Sequence, residues 1–89
     1  MLKREIKIVN RLGLHARASA KIVQLASRFS SSVALVFNGR RANARSIIAV
    51  MLLAASMNST IYVEANGPDE ADAVSAIAEL INGRFGEGS

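Results

Sequence analysis

Cysteine is absent from the 89 residues of the chain, and histidine occurs only once. Without a thiol the chain can form no disulfide bond, thiolate metal site or cysteine nucleophile, and it is compatible with a reducing compartment. One histidine is also too few for a histidine-based metal centre. We therefore expect a protein that works without a metal and without a cofactor.

Long hydrophobic runs are missing as well. The longest uninterrupted apolar stretch, residues 47–55, is shorter than the roughly 20 residues that a membrane-spanning helix needs. Lys3, Arg4 and Glu5 interrupt the apolar residues near the N-terminus, whereas a secretory signal has a continuous apolar segment. The sequence predicts no membrane insertion and a cytoplasmic location.

Aromatic residues make up only 4% of the chain, but positive charge is abundant and unevenly placed. Residues 1–45 contain ten Lys or Arg residues against Glu5 alone, whereas residues 46–89 contain Arg84 against six acidic residues. A basic half suits nucleic acid, an acidic protein surface or a phosphorylated ligand. Because few aromatic residues are available to stack on bases, a nucleic-acid-binding module is the weaker alternative, and we expect no nucleic-acid partner.

The length and the hydrophobic content of 51% suit one folded core. We expect a single domain over residues 1–89, and we expect a monomer. Alternating apolar residues predict a first strand over residues 4–9, and helical spacing predicts a first helix over residues 16–28. Alternation over residues 33–37 is followed by Asn38-Gly39, a strong signal for a two-residue hairpin turn.

The second half of the chain supplies the remaining elements. Ser46 is a suitable N-cap for a short apolar helix, and residues 60–65 alternate as a strand. Asp69 is a candidate N-cap for the last helix, Gly83 is a suitable stop, and we expect residues 86–89 to be loose.

The predicted element order is therefore β-α-β-β-α-β-α. It indicates an α+β fold, an open-faced β-sandwich in which three helices cover one face of a four-stranded antiparallel sheet. The uncovered face suits the polar residues of the predicted strands, which are Glu5, Lys7, Tyr62 and Glu64.

The candidate site is residues 13–17, which read Gly-Leu-His-Ala-Arg. His15 falls where a strand-to-helix loop meets a helix start, and the free N–H groups and dipole there favour a phosphate. The same positive end disfavours imidazolium, which leaves a neutral ring nitrogen available as a nucleophile. Arg17 can stabilise phosphate oxygens, and Gly13 permits a tight turn. These residues suit a phosphoryl acceptor, although a surface or capping histidine is the commoner use of such a position.

Three segments resemble the histidine-containing phosphocarrier family, HPr, and the resemblance runs nearly end to end. They are residues 13–17, residues 43–47 (Asn-Ala-Arg-Ser-Ile) and residues 67–71 (Gly-Pro-Asp-Glu-Ala). The resemblance implies that enzyme I, phosphorylated by phosphoenolpyruvate, transfers the phosphoryl group to His15 Nδ1. The group would then pass to an enzyme II A component of the sugar phosphotransferase system, so the chain would be a carrier and not an enzyme. One departure is Ala18, where many family members have proline.

The resemblance also implies that Ser46 is a regulatory site for an ATP-dependent HPr kinase/phosphorylase. Capping of the following helix is the alternative role for this serine. We predict that apolar residues after Ser46 form part of a docking patch for enzyme I and enzyme II A, although such a stripe is more often core. The predicted partner-binding residues are Ala16, Lys21, Arg45, Ile47, Ile48 and Met51, with Arg17 at the rim.

Two further alternatives remain open. A nitrogen-related paralogue of HPr would use the same histidine chemistry to serve regulators instead of sugar transport. A true enzyme is disfavoured, because the sequence offers no nucleophile–base pair, phosphate-binding glycine loop or metal cluster.

Overall fold

The computed structural model describes residues 1–88, in which four strands form one antiparallel sheet and three α-helices cover one of its faces. The strands are β1 (Leu2–Lys7), β2 (Ser32–Phe37), β3 (Arg40–Asn43) and β4 (Thr60–Asn66). The helices are α1 (Ala16–Ala26), α2 (Ile47–Leu52) and α3 (Glu70–Asn82), followed by a 3-10 turn at Arg84–Gly86. The strand order in the sheet is β1-β4-β2-β3. The predicted element order and open-faced β-sandwich are confirmed.

The β2–β3 hairpin forms at the predicted Asn38-Gly39 turn. Both residues have positive φ, 56° and 78°, as a two-residue hairpin turn of this handedness requires.

The bounds of the first strand differ from the prediction. The sequence predicts this strand over residues 4–9, whereas β1 lies at Leu2–Lys7. It pairs with β4 from Leu2 opposite Ala65 to Lys7 opposite Thr60, so it ends where its partner strand begins.

The core lies between the helical layer and the covered face of the sheet. Because side chains alternate along a strand, Leu35, Ile61 and Val63 are fully buried against the helices. Helix α1 contributes Ala18, Ile22 and Ala26, which share one face at a spacing of four residues. Helix α3 buries Val74, Ile77, Ala78 and Ile81 at helical spacing.

The uncovered face of the sheet is less exposed than the sequence suggests. Tyr62 lies there as predicted, and its hydroxyl donates to Glu5 Oε2 at 3.2 Å. Glu64, predicted to face solvent, is only 7% exposed. The Arg41 guanidinium pairs with its carboxylate, and the ammonium of Lys3 lies 4.0 Å from it. Lys3 lies on β1, next to β4 in the sheet, and Arg41 lies on β3, two strands away, and both long side chains cover the carboxylate.

Asp69 occupies the N-cap position of α3, but its side chain does not cap that helix. Its carboxylate accepts hydrogen bonds from the backbone N–H groups of Ser30 and Ser31 and from the Ser31 hydroxyl. The Ser31 hydroxyl contributes most to holding the pKa of Asp69 below its ordinary value, and the Ser30 N–H adds to the effect. The residue therefore ties the start of α3 to the start of β2.

The prediction of a loose C-terminal segment is wrong for residues 86 and 87. Phe85 is 1% exposed and inserts into the core, which fixes the turn around it. Gly86 N–H donates to Gly83 O at 3.1 Å, and Glu87 N–H donates to Arg84 O at 2.9 Å. The predicted tail also includes Ser89, which lies outside the described residues. Within residues 1–88, no helix has the length and apolar character needed to span a bilayer.

Candidate functional site

The loop before α1 depends on Gly13, which has a φ of 64°. A Cβ atom at this position would lie 2.5 Å from the Ala55 carbonyl oxygen and 2.9 Å from Ser56 Cα. The next residue, Leu14, donates its N–H to the same Ala55 oxygen at 3.0 Å. The loop is thus held against the segment after α2, and only glycine fits both the conformation and the close approach.

His15 lies at the start of α1, as predicted, where it occupies the N-cap position. Its backbone is extended, with φ −73° and ψ 178°, and its carbonyl accepts the first helical hydrogen bond from Ser19 N–H at 2.9 Å. Its side chain makes no capping hydrogen bond to the helix, and the residue is partly exposed. The helix starts here although Ala18 stands in place of the family's proline, because Ala18 is fully buried and a good helix former.

A shallow, open cavity of about 260 Å³ lies beside His15. Its walls are formed by Arg11, Leu12, His15, Arg17 and Glu87. The structure therefore brings His15 and Arg17 together as the sequence predicts, and it adds Arg11 to the wall of the same cavity. Two exposed arginines and a helix N-terminus favour an anion in this cavity.

Glu87, like Arg11, belongs to the site although the sequence does not predict it there. His15 Nε2 is hydrogen-bonded to Glu87 Oε2. The other carboxylate oxygen, Oε1, accepts from Asn10 Nδ2 at 3.1 Å, and the same amide donates to Gly13 O at 2.9 Å. Burial raises the pKa of Glu87, but the hydrogen bonds from His15 and Asn10 outweigh it, so the pKa lies below its ordinary value. At neutral pH the His15 ring therefore faces a carboxylate.

Lys21 and Arg45, predicted as partner-binding residues, both make contacts within the chain. Lys21 Nζ donates to the Phe85 carbonyl oxygen and so anchors the C-terminal turn. The Arg45 guanidinium donates to the carbonyl oxygens of Ala26 and Phe29, at the end of α1 opposite to His15. Because α1 has 11 residues, about 15 Å of helix separates that end from the His15 cavity. Arg45 thus stabilises the end of α1, and its role in partner binding stays a prediction.

Ser46 is the N-cap of α2, and its hydroxyl oxygen accepts a hydrogen bond from Ala49 N–H. The predicted capping contact is confirmed. Three of the apolar residues that follow are exposed: Ile47 is 40%, Ile48 67% and Met51 37% exposed, whereas Val50 of the same helix is fully buried in the core. Leu52, at 65%, belongs to the same surface but was absent from the predicted patch. We call these four exposed residues of α2 the α2 patch.

Helix α2 packs beside α1, whose first residue, Ala16, is exposed. An apolar surface and the basic His15 cavity thus belong to neighbouring helices. Among residues 1–88, no group of three or more His, Cys, Asp or Glu side chains is arranged to hold a metal ion.

Comparison with known proteins connects this site to a family. The family model described as "PTS HPr component phosphorylation site" matches residues 2–83. The chain is 54% identical to the phosphocarrier protein HPr of Cupriavidus necator and 52% identical to that of Neisseria meningitidis serogroup A, over 99% of each chain in both comparisons. It superposes on an HPr structure from Thermoanaerobacter tengcongensis with a TM-score of 0.95 at 39% identity, over 100% of both chains. The HPr of Bacillus anthracis gives a TM-score of 0.86 at 31% identity, over 90% of this chain and 95% of that one. The chain belongs to the HPr family of phosphocarrier proteins.

Proposed function

We propose that this chain accepts a phosphoryl group on His15 from phosphorylated enzyme I and passes it to enzyme II A components of the sugar phosphotransferase system. Membership of the HPr family supports a phosphocarrier role in this system and not that of a catalytic enzyme. The observation that carries the proposal is the placement of the single histidine at the N-terminus of α1, beside Arg17 in an open cavity.

The proposed chemistry requires little machinery from the carrier. A phosphoryl group on His15 Nδ1 would lie near the positive end of α1, where it is stabilised by the helix dipole and by Arg17. Arg11, on the wall of the same cavity, supplies a second positive charge. An open cavity suits transfer, because the donor and the acceptor proteins must each bring their reactive group in line with the phosphorus atom.

The partner surface in this proposal combines the His15 cavity with the α2 patch. The basic first half of the chain favours partners with an acidic surface, and exposed apolar residues such as Ile48 supply area to bury. Phosphorylation of Ser46 by an HPr kinase/phosphorylase would add about two negative charges beside this patch and weaken docking. In this proposal the carrier is a monomer, and it works in the cytoplasm together with its phosphoryl donor, enzyme I.

Reconstitution of the relay tests the proposal. Purified enzyme I, phosphoenolpyruvate labelled in its phosphoryl group, this chain and an enzyme II A component are mixed, and label on each protein is measured. We expect label to reach enzyme II A only when the chain is present, and not when His15→Ala replaces it. Label that reaches enzyme II A equally well with His15→Ala would overturn the proposal. Transfer that succeeds only with enzyme I of the nitrogen-related system would assign the chain to the paralogous relay.

A further inference from the structure

A carboxylate is bonded to the ring nitrogen of His15 that lies opposite Nδ1. Glu87 Oε2 is hydrogen-bonded to His15 Nε2, and both side chains are mostly buried, with exposed fractions of 14% and 25%. The second oxygen of the carboxylate is held by the amide of Asn10, a residue with no exposed surface. The hydrogen bond between His15 and Glu87 is thus partly shielded from water, and the Asn10 amide fixes the position of the carboxylate.

Glu87 is 72 residues away from His15 in the sequence, and an unusual backbone conformation before it brings its carboxylate to the site. Arg84 and Phe85 have φ values of 56° and 54°, an unfavourable conformation for residues with side chains. Burial of Phe85 and the bond from Lys21 to its carbonyl oxygen hold them there. Strained backbone that the surrounding structure maintains is often found at functional sites.

We propose that Glu87 is a positioning residue for phosphoryl transfer at His15, with Asn10 as its support. Its carboxylate keeps the proton on Nε2 and leaves Nδ1 as the nitrogen that takes the phosphoryl group. The same carboxylate stabilises the positive charge that the ring acquires. This inference rests on the proposed function and assigns a role that neither the motif at residues 13–17 nor the composition of the chain indicates.

The chemistry follows from the protons available. A carboxylate only accepts hydrogen bonds, so the nitrogen facing it carries the hydrogen and the other nitrogen of a neutral imidazole carries the lone pair. During transfer that Nδ1 lone pair forms the bond to phosphorus, while the bond from phosphorus to the donor breaks and its electron pair leaves with the donor. No proton moves, and the ring becomes cationic with hydrogen still on Nε2. A carboxylate beside that hydrogen stabilises the cation, as the aspartate of a catalytic triad does for its histidine.

The same contact eases the return step. When the phosphoryl group leaves for the next protein, the Nδ1–phosphorus bond breaks and its electron pair returns to Nδ1. A ring that keeps the Nε2 hydrogen leaves as neutral imidazole and not as an anion. The Glu87 carboxylate holds that hydrogen throughout, so both directions use one tautomer.

A purely structural clamp is the competing explanation, in which Glu87 only ties down the C-terminal segment. Phosphoramidate, a small phosphoryl donor, separates the two explanations without any partner protein. Wild-type protein, Glu87→Ala and Glu87→Gln are treated with it, and 31P and 15N NMR identify the phosphorylated nitrogen and the rate. The single histidine makes the ring signals unambiguous. Glu79→Gln, which neutralises an exposed carboxylate on α3, is the matched charge control.

We expect wild-type protein and Glu79→Gln to react at Nδ1. Glu87→Ala should form Nε2-phosphohistidine as a major product, because Nε2 is then free. Glu87→Gln keeps an acceptor without its charge, so it should still react at Nδ1 but about tenfold more slowly, since a neutral acceptor bonds a cation more weakly. If Glu87→Ala and Glu87→Gln both match wild type in product and rate, the inference is overturned. That result would leave the relay untouched, because relay function depends on transfer from enzyme I to His15.

Discussion

The hydroxyl oxygen of Ser46 lies 3.2 Å from the backbone nitrogen of Ala49 and accepts its hydrogen bond, which caps a helix of only six residues. The capping oxygen is also the atom that a kinase would phosphorylate. Next to it, Ile47 and Ile48 are exposed. The capping contact and the proposed regulation therefore share one atom, and substitutions can separate them.

Replacement of Ser46 by Asp should leave the fold intact and slow phosphoryl transfer from enzyme I by about tenfold. Asp is as good an N-cap as Ser, but its charge opposes docking of an acidic partner. Ser46→Asn is the matched control, since it caps without a charge and should transfer at the wild-type rate. Ser46→Ala should lose about 1 kcal/mol of stability in urea unfolding through the lost cap. Equal transfer rates for Ser46→Asp and Ser46→Asn would remove the proposed electrostatic effect.

Arg17→Ala should slow acceptance from enzyme I by about tenfold to a hundredfold without changing the unfolding midpoint. Arg17 lines the His15 cavity, and a charge-assisted bond to phosphate is worth about 1.5–3 kcal/mol. Single-turnover phosphorylation measured by rapid quench checks the rate. Arg28→Ala removes an exposed arginine outside the cavity and controls for net charge. If Arg17→Ala is no slower than Arg28→Ala, Arg17 does not stabilise the phosphoryl group.

Gly13→Ala should destabilise the protein much more than Gly39→Ala. Both glycines have positive φ, which costs a side-chain residue about 1–2 kcal/mol. Only at Gly13 would the new Cβ meet the backbone of another segment, since at Gly39 no atom beyond the adjoining residues lies within 4 Å of the corresponding position. Urea unfolding of the two variants isolates the steric part, and similar losses of stability would contradict the close approach of the loop to Ala55.

Acid should destabilise the protein partly through Asp69. Its pKa is lowered below the ordinary value of 3.8, so its hydrogen bonds contribute stability above that value, and the contribution is lost as pH falls through the folded-state pKa. We expect Asp69→Asn to melt below wild type at pH 7, with the gap closing as the pH falls below 3.8 and through the folded-state pKa of Asp69. Asp72→Asn, at an exposed position on the same helix, should show no such convergence. Melting curves of Asp69→Asn that stay parallel to wild type at every pH would contradict this role.

Structural features that depend on residues close together in the sequence could be predicted from it. The Asn38-Gly39 turn, the buried stripe of α3 and the Ser46 cap all follow from local spacing, and each is present in the structure. Residues 13–17 likewise place His15 at a helix start through local chemistry alone. The predicted bounds of β1 and the predicted end of α1 are wrong by two residues. The bounds of β1 are set by its pairing with β4, which lies more than 50 residues further along the chain and leaves no signal in the local pattern.

What the sequence cannot show are contacts between distant segments. Glu87 reaches His15 only because Phe85 is buried and turns the chain back, and a glycine-rich tail gives no periodic signal of this. The Asp69 carboxylate likewise accepts hydrogen bonds from Ser31, 38 residues earlier in the chain, instead of capping its own helix. Arg45 lies next to Ser46 in sequence, yet its guanidinium is bonded to the end of α1. Each of these polar groups has its partner on another segment of the chain, which the local sequence pattern does not reveal.

The most direct test of a phosphocarrier centred on His15 is intact-mass spectrometry after mixing the chain with enzyme I and phosphoenolpyruvate. We predict a gain of one phosphoryl group that brief acid treatment removes, as expected of phosphohistidine and not of phosphoserine. We also predict no gain for His15→Ala, whose fold is verified by its circular dichroism spectrum. An acid-stable gain, or an equal gain in His15→Ala, would contradict the central claim.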